Sequence, residues 1–319
     1  MTSVELTGLD GSNPLALFCA LGALVAADDA HGMAKTPRPR LSWRLDGFWK
    51  PTLHANIAAD ELVALLEADR QSCVYEPALR FTHLKDAKPA EEGKTQPEPQ
   101  FAAEVKPRPA DLRKALLDWV PTAKPSSRRT LDWFTAFVAE GAYDNNGAGK
   151  PSALHFTAGQ QLFLKAACEL VEKTTADEIR AALFGPWATT SLLPVMAWDN
   201  SETRDYALRG QSASSEKRQG YPGTDWLAFR GLVMFPNCAK NGEQRTAGVA
   251  GTWKNSILFW PIWERPLTSL VVRSLLATPR LGKLPTTSRE RLGIRQIYKS
   301  QILRANQGGR GSLTPAAVV

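Results

Sequence analysis

The chain is poor in the residues that build most metal and covalent sites. Its 319 residues include only four histidines (His31, His54, His83 and His155) and four cysteines (Cys19, Cys73, Cys168 and Cys238). No two histidines stand four apart, and no CxxC or Cys/His pair has metal-ligand spacing, so a histidine- or cysteine-based metal centre is not expected. Cys19 and Cys168 sit among apolar neighbours, where a free thiol behaves as a small hydrophobe. Reduced structural thiols and a cytoplasmic location are the expectation. A GxSxG nucleophile, a Walker phosphate loop and a dinucleotide fingerprint are also missing, so no cofactor is expected. No repeat with a period of 20 to 50 residues is visible. No apolar run reaches the ~18 residues of a membrane span. The best candidate, residues 15–27, is followed by Asp28 and Asp29 and preceded by Glu5 and Asp10, where a secretory signal would carry basic residues. The N-terminus therefore reads as folded protein, with no membrane partner.

What the chain does have is enough apolar material for a large core, with 43% hydrophobic residues, and an uneven charge. The formal net charge is +7. Residues 201–319 hold 18 Lys/Arg against 7 Asp/Glu, whereas residues 1–200 hold 21 against 25. From Arg265 onward ten basic residues face only Glu290, and eight of the ten are arginine. The flat arginine fork matches phosphate oxygens and stacks on bases, which points to nucleic acid. The competing reading is ordinary ion pairing with acids of the N-terminal part.

The pattern along the chain indicates a mixed α+β protein. Residues 1–84 read as a strand–helix–hairpin unit. A helix starts at Pro14, with Gly22 marking a close approach of another backbone, and a hairpin turns at Asp46-Gly47. A further strand is expected at 78–83. Residues 85–109 carry five prolines and little to bury, so they read as an exposed loop. Residues 110–186 read as helical, with helices at 110–120, 130–140 and 157–172. A capping box at Thr175 and Glu178 opens a short helix that Gly185-Pro186 ends. Residues 187–319 form a strand-rich basic region, with strand texture at 196–198, 229–235 and 257–263, a helix at 268–277, and either a strand or a helix at 293–304. The whole could be one continuous domain.

Two kinds of site can be drawn from these residues. The first is a phosphate-binding surface made by Arg289, Arg291, Arg295, Lys299, Arg304 and Arg310, with Arg230 and Lys254 added. Arg204 and Arg209 belong to the same weighing, and the glycines of the tail at 304–313 could wrap a phosphate with backbone amides. Trp253 beside Lys254 could stack a base or simply anchor a strand. The alternative is a metal-dependent nuclease using Asp144, His155 and Asp199, with Asp10 and Asp205 as further carboxylates. Against it, Asp in Gly-containing turns commonly bonds its own backbone, and His155 suits a hydrogen-bonded structural role. A protein scaffold meeting an acidic partner is the remaining alternative.

Several phrases occur together: LTGLDGSNPL at 6–15 with ALG at 20–22, KPSALHFTAGQQ at 150–161, ALFGPW at 182–187, WDN at 198–200, DWLAFRG at 225–231 and QGGRG at 307–311. In these the chain resembles type I-G (formerly I-U) CRISPR-associated proteins, specifically the large-subunit-like and accessory proteins of the interference complex. The resemblance runs through most of the chain. It implies a subunit without its own catalytic site in an antiviral, RNA-guided complex, partnered by other effector subunits and by guide RNA or target DNA. At 319 residues the chain is short for a large subunit, which leaves a reduced large subunit, a small accessory subunit or a partner of the helicase-nuclease.

Overall fold

A computed structural model describes residues 2–32, 34, 36–81, 105–123, 128–156, 162–187, 189, 193–200, 220–304 and 311–319. The expected loop at 85–109 therefore falls mostly outside the described residues, as do Arg204, Arg209, Asp205 and Arg310. The described residues form a mixed α+β fold with no closed barrel.

The N-terminal sheet has the order β1 (Ser3–Glu5), β3 (Phe48–His54), β2 (Arg40–Asp46) and β8 (Leu267–Thr268). The expected hairpin is present. Its ladder runs to the Asp46–Phe48 pair and leaves Gly47, at φ 74°, alone at the apex. Helix α1 (Pro14–His31) begins where Asn13 Oδ1 accepts the Leu15 amide at 2.9 Å, with Pro14 in its first turn. Its length and composition would suit a membrane span, but residues 14–27 are buried within the fold. A Cβ on Gly22 would lie 1.9 Å from the Leu227 carbonyl oxygen. One on Gly231 would lie 2.1 Å from that of Phe18. Helix α1 thus crosses α7 (Pro222–Gly231) backbone to backbone, the close approach that Gly22 signals.

Helices α2 (Ala59–Cys73), α3 (Pro109–Trp119), α4 (Arg129–Phe137), α5 (Phe163–Lys173) and α6 (Ala176–Phe184) surround this pair. Thr175 and Glu178 form the expected capping box at the start of α6, the Glu178 carboxylate accepting the Thr175 amide at 2.8 Å. The helix expected at 157–172 begins at Phe163, and residues 157–161 lie outside the described set.

Among the described residues three expected strands are not formed. Residues 78–81 form a turn in which the Leu79 and Arg80 amides both donate to the Glu76 carbonyl, and 82–83 are not described. Residues 196–198 are irregular. Residues 229–235 are the end of α7 and a 3₁₀ turn at Leu232–Met234. Every residue of α7 is buried, so its apolar density carries no helical period and imitates a core strand.

The C-terminal sheet contains β6 (Val249–Thr252), β7 (Asn255–Trp263), β9 (Ile294–Arg304), β10 (Gly311–Leu313) and β11 (Ala317–Val318), the last two both paired to β9. The segment that read as strand or helix is thus the long central strand. A ribbon of β4 (Asn237–Lys240) and β5 (Glu243–Thr246) precedes the sheet. Helices α8 (Ser269–Leu276) and α9 (Thr286–Arg291) lie between β8 and β9. Trp260 Nε1 donates to the Gly11 carbonyl at 2.8 Å and Trp263 Nε1 to that of Leu41 at 2.7 Å. Buried apolar residues from Val4 to Leu313 form one cluster, so the regions distinguished along the sequence share a core.

Candidate nucleic-acid interface

The described basic residues expected to contact phosphate divide into three groups. The first is internal. Arg230 is fully buried at the end of α7, where Nε donates to Asp69 Oδ2 at 3.0 Å and Nη2 to Asp29. Arg129 completes the cluster, reaching Asp69 Oδ1 at 3.2 Å, Asp29 Oδ2 at 3.3 Å and the Ser72 hydroxyl at 2.6 Å. Burial opposes the Arg230 charge, but the Asp69 and Asp29 carboxylates outweigh it and hold the pKa well above the ordinary value. The expectation that Arg230 contacts nucleic acid is therefore corrected: no phosphate can reach it. Arg273, half-buried, is likewise committed within the fold, paired with Asp132 at 3.0 Å.

The second group is spent on backbone carbonyls. Arg289 donates to those of Leu284 and Val319 at 2.9 and 2.8 Å. Arg304 donates to that of Ala153 at 2.5 Å and lies 3.5 Å from the centre of the Trp253 ring. Both residues are half-buried, with their guanidinium groups committed to carbonyls. Burial lowers the Arg304 pKa to about 10, which leaves it charged near neutral pH.

The third group is exposed: Lys254, Arg291, Arg295 and Lys299. Arg295 pairs with Glu264 at 2.9 Å. Lys254, Arg291 and Lys299 have no ion-pair partner among the described residues. Lys299 stands on the outer face of β9, directly opposite Phe259 of β7. Opposed residues on one face have Cβ atoms ~5 Å apart.

Phe259 leads to a feature that the sequence conceals. A 3₁₀ turn at Leu281–Lys283 lies over this face, close enough that a Cβ on Gly282 would fall 2.1 Å from the Phe259 ring. Between that turn, β6 and the β4–β5 ribbon runs a groove of about 560 Å³. Phe259, Leu281 and Val249 supply apolar lining, and Arg245, Arg280 and Lys283 supply charge. Among the described residues no Asp or Glu lines it. Arg280 and Lys283 belong to the basic stretch after Arg265, but nothing in the sequence sets them apart from Arg289. Arg245 lies outside that stretch, and only the fold of the ribbon brings it to the groove.

Arg245 also lines a second pocket of about 390 Å³, together with Lys150, Pro151, Ala153, Val249 and Trp253. Trp253 and Lys254 are the two turn residues between β6 and β7, left over when Thr252 pairs with Asn255. The Ser256 hydroxyl fixes the turn by donating to the Thr252 carbonyl at 2.7 Å. Trp253 is 44% exposed, whereas Trp43, Trp133, Trp198, Trp226, Trp260 and Trp263 are fully buried.

Among the described residues, each carboxylate of the nuclease alternative is engaged locally. Asp144 Oδ1 accepts the Asn146 and Ala148 amides at 2.8 and 3.0 Å, a turn held by its own backbone. Asp10 accepts the Ser12 amide at 2.9 Å in the same manner, and Asp199 accepts from the Asn13 side chain at 2.9 Å. His155 is buried with its ring 4.4 Å from that of Phe163. Among the described residues no three His, Cys, Asp or Glu side chains converge as ligands, so Asp144, His155 and Asp199 do not form a metal site. The thiols are free. Burial pushes the Cys73 pKa up to about 11 and raises that of Cys19 further, while Cys238 is exposed.

No protein-family model and no curated protein matches the chain.

Proposed function

We propose that the chain is a non-catalytic nucleic-acid-binding subunit of a type I-G CRISPR interference complex, holding the backbone of guide RNA or target DNA in cytoplasmic antiviral defence. The sequence phrases carry the assignment to that complex. The observation that carries the binding is the groove in which Arg245, Arg280 and Lys283 meet no carboxylate among the described residues, with Lys299 on the same sheet face. Side chains of one sign around an apolar floor attract a polyanion and leave its bases free to be read by pairing. Arg291 and Lys254 extend the exposed charge.

Binding of single-stranded and duplex oligonucleotides, measured by anisotropy over a range of salt, tests the reading. Replacing Arg245, Arg280, Lys283 and Lys299 by Ala is expected to weaken binding by more than tenfold. It should also make the slope of log K against log salt shallower by roughly 3, since each lost phosphate contact removes about 0.7 to 0.9. Unchanged affinity and slope would sink the proposal. Purification with the products of the neighbouring genes supplies the second check: nucleic acid should accompany the complex, giving a raised ratio of absorbance at 260 nm to that at 280 nm. A complex that assembles free of nucleic acid would point instead to a scaffold meeting an acidic protein.

A further inference from the structure

We infer that Trp253 is a stacking platform for an unpaired nucleobase, with Arg245 and Lys254 placed to hold the adjoining phosphate. This rests on the nucleic-acid reading above and adds to it a contact with bases rather than backbone.

Three observations lead there. First, Trp253 is an indole left 44% exposed in a chain that fully buries six others, and it sits at the tip of a two-residue turn. One of its faces is already covered: the Arg304 guanidinium lies 3.5 Å from the ring centre. That guanidinium is itself fixed by the Ala153 and His155 carbonyls and lies 5.6 Å from the Phe156 ring. The indole is thereby held in one orientation before any ligand arrives, which reduces the ordering cost of binding.

Second, Arg304 has no carboxylate partner among the described residues, and its Nε is buried without a hydrogen-bond partner. Among the described residues its charge is met by carbonyl dipoles and two ring faces alone, which only partly replace its hydration. An electron-rich base stacked on the far side of the indole, with its phosphate nearby, provides the missing negative potential. Cation and aromatic layers alternate in just this way where bases bind.

Third, the indole borders a pocket of about 390 Å³, within the ~300–1,000 Å³ typical of small-molecule sites. Pro151, Ala153 and Val249 line it with apolar surface suited to a planar heterocycle. Its two acids are already engaged: Asp144 Oδ1 by backbone amides, and Glu243 by Lys150 at 3.0 Å. Arg245, whose Nη1 donates to the Gly251 carbonyl, lines both this pocket and the acid-free groove. A single strand lying in the groove could therefore turn one base over Arg245 onto Trp253. Stacking is tolerant of sequence because every base has a π-face.

The test uses the full-length chain, alone and with its genomic partners, and a short oligothymidylate with or without one abasic residue. Trp253→Ala is expected to weaken binding roughly tenfold, and Trp253→Phe less, with the salt slope unchanged because no phosphate contact is lost. For the parent protein, the best-placed abasic residue should cause a similar loss, and that loss should vanish in the Trp253→Ala background. Near-ultraviolet circular dichroism confirms that each variant is folded. If the groove variants lose affinity while Trp253→Ala and the abasic strands do not, the platform is refuted and the backbone reading stands. If no oligonucleotide binds the parent protein, both fall. Thymidine monophosphate binding as tightly as the oligonucleotide would assign the pocket to a free nucleotide and overturn a role in strand binding.

Discussion

Arg230 and Lys299 show how far a charge count reaches at the scale of one residue. Both lie in the basic third and both read as phosphate contacts, yet one is fully buried between two aspartates and the other is exposed on a strand. The sequence reports the sign of a charge but not its partner, and the partners of Arg230, Asp29 and Asp69, lie far upstream on α1 and α2. The two residues should therefore differ sharply in the cost of truncation. Arg230→Ala leaves the buried Asp69 facing Arg129 alone, and breaking one side of a buried ion pair typically destabilises by about 3–5 kcal/mol. Lys299→Ala removes a solvated side chain and should change stability by no more than about 0.5 kcal/mol. Urea denaturation of both variants checks this. Comparable losses would mean that the buried cluster contributes nothing beyond an ordinary surface charge.

Among the elements, α1 was readable and α7 was not. The asparagine cap, the proline in the first turn and the glycine at 22 are local signals, and each has the local consequence that its chemistry dictates. Helix α7 carries no such contrast, because all ten of its residues are buried and no polar face marks its period. The crossing of the two helices gives a prediction whose sign is diagnostic. In an exposed helix Gly→Ala stabilises by about 0.5–1 kcal/mol. At Gly22 the added methyl would meet the Leu227 carbonyl at 1.9 Å, so the helices must separate. Gly22→Ala is expected to destabilise by about 1–3 kcal/mol, the usual result of overpacking. A thermal midpoint at or above that of the parent protein would show that the two backbones are not in contact at this point.

For the whole molecule, the contrast between a slightly acidic first 200 residues and a basic remainder suggests two separable parts, whereas the fold interleaves them. Strand β8, from the basic part, closes the edge of the N-terminal sheet by pairing Leu267 with Leu41 and Thr268 with Arg40. Trp260 and Trp263 each bond a carbonyl of the N-terminal part, and α7 fills the surface that α1 presents at Gly22. The α+β class follows from local patterns, but this long-range pairing leaves no trace in local sequence, because β8 is only two residues long. A fragment of residues 1–200 would expose the α7 side of α1 and an unpaired stretch of β2, so it should lack near-ultraviolet circular dichroism. The full chain should lose tryptophan fluorescence and far-ultraviolet signal at one urea concentration, as expected of a single cooperative unit. Two separated transitions, or a fragment with native-like aromatic signals, would mean that the basic part folds on a scaffold already complete without it. The interleaving also bears on binding. Lys299 and Phe259 present the groove face, while Leu258 and Ser300, opposed on the next positions of the same strands, are buried on the other side. A nucleic acid gripping that face therefore pulls on strands anchored in the common core, and its binding should raise the single unfolding midpoint of the entire chain, not of the basic third alone.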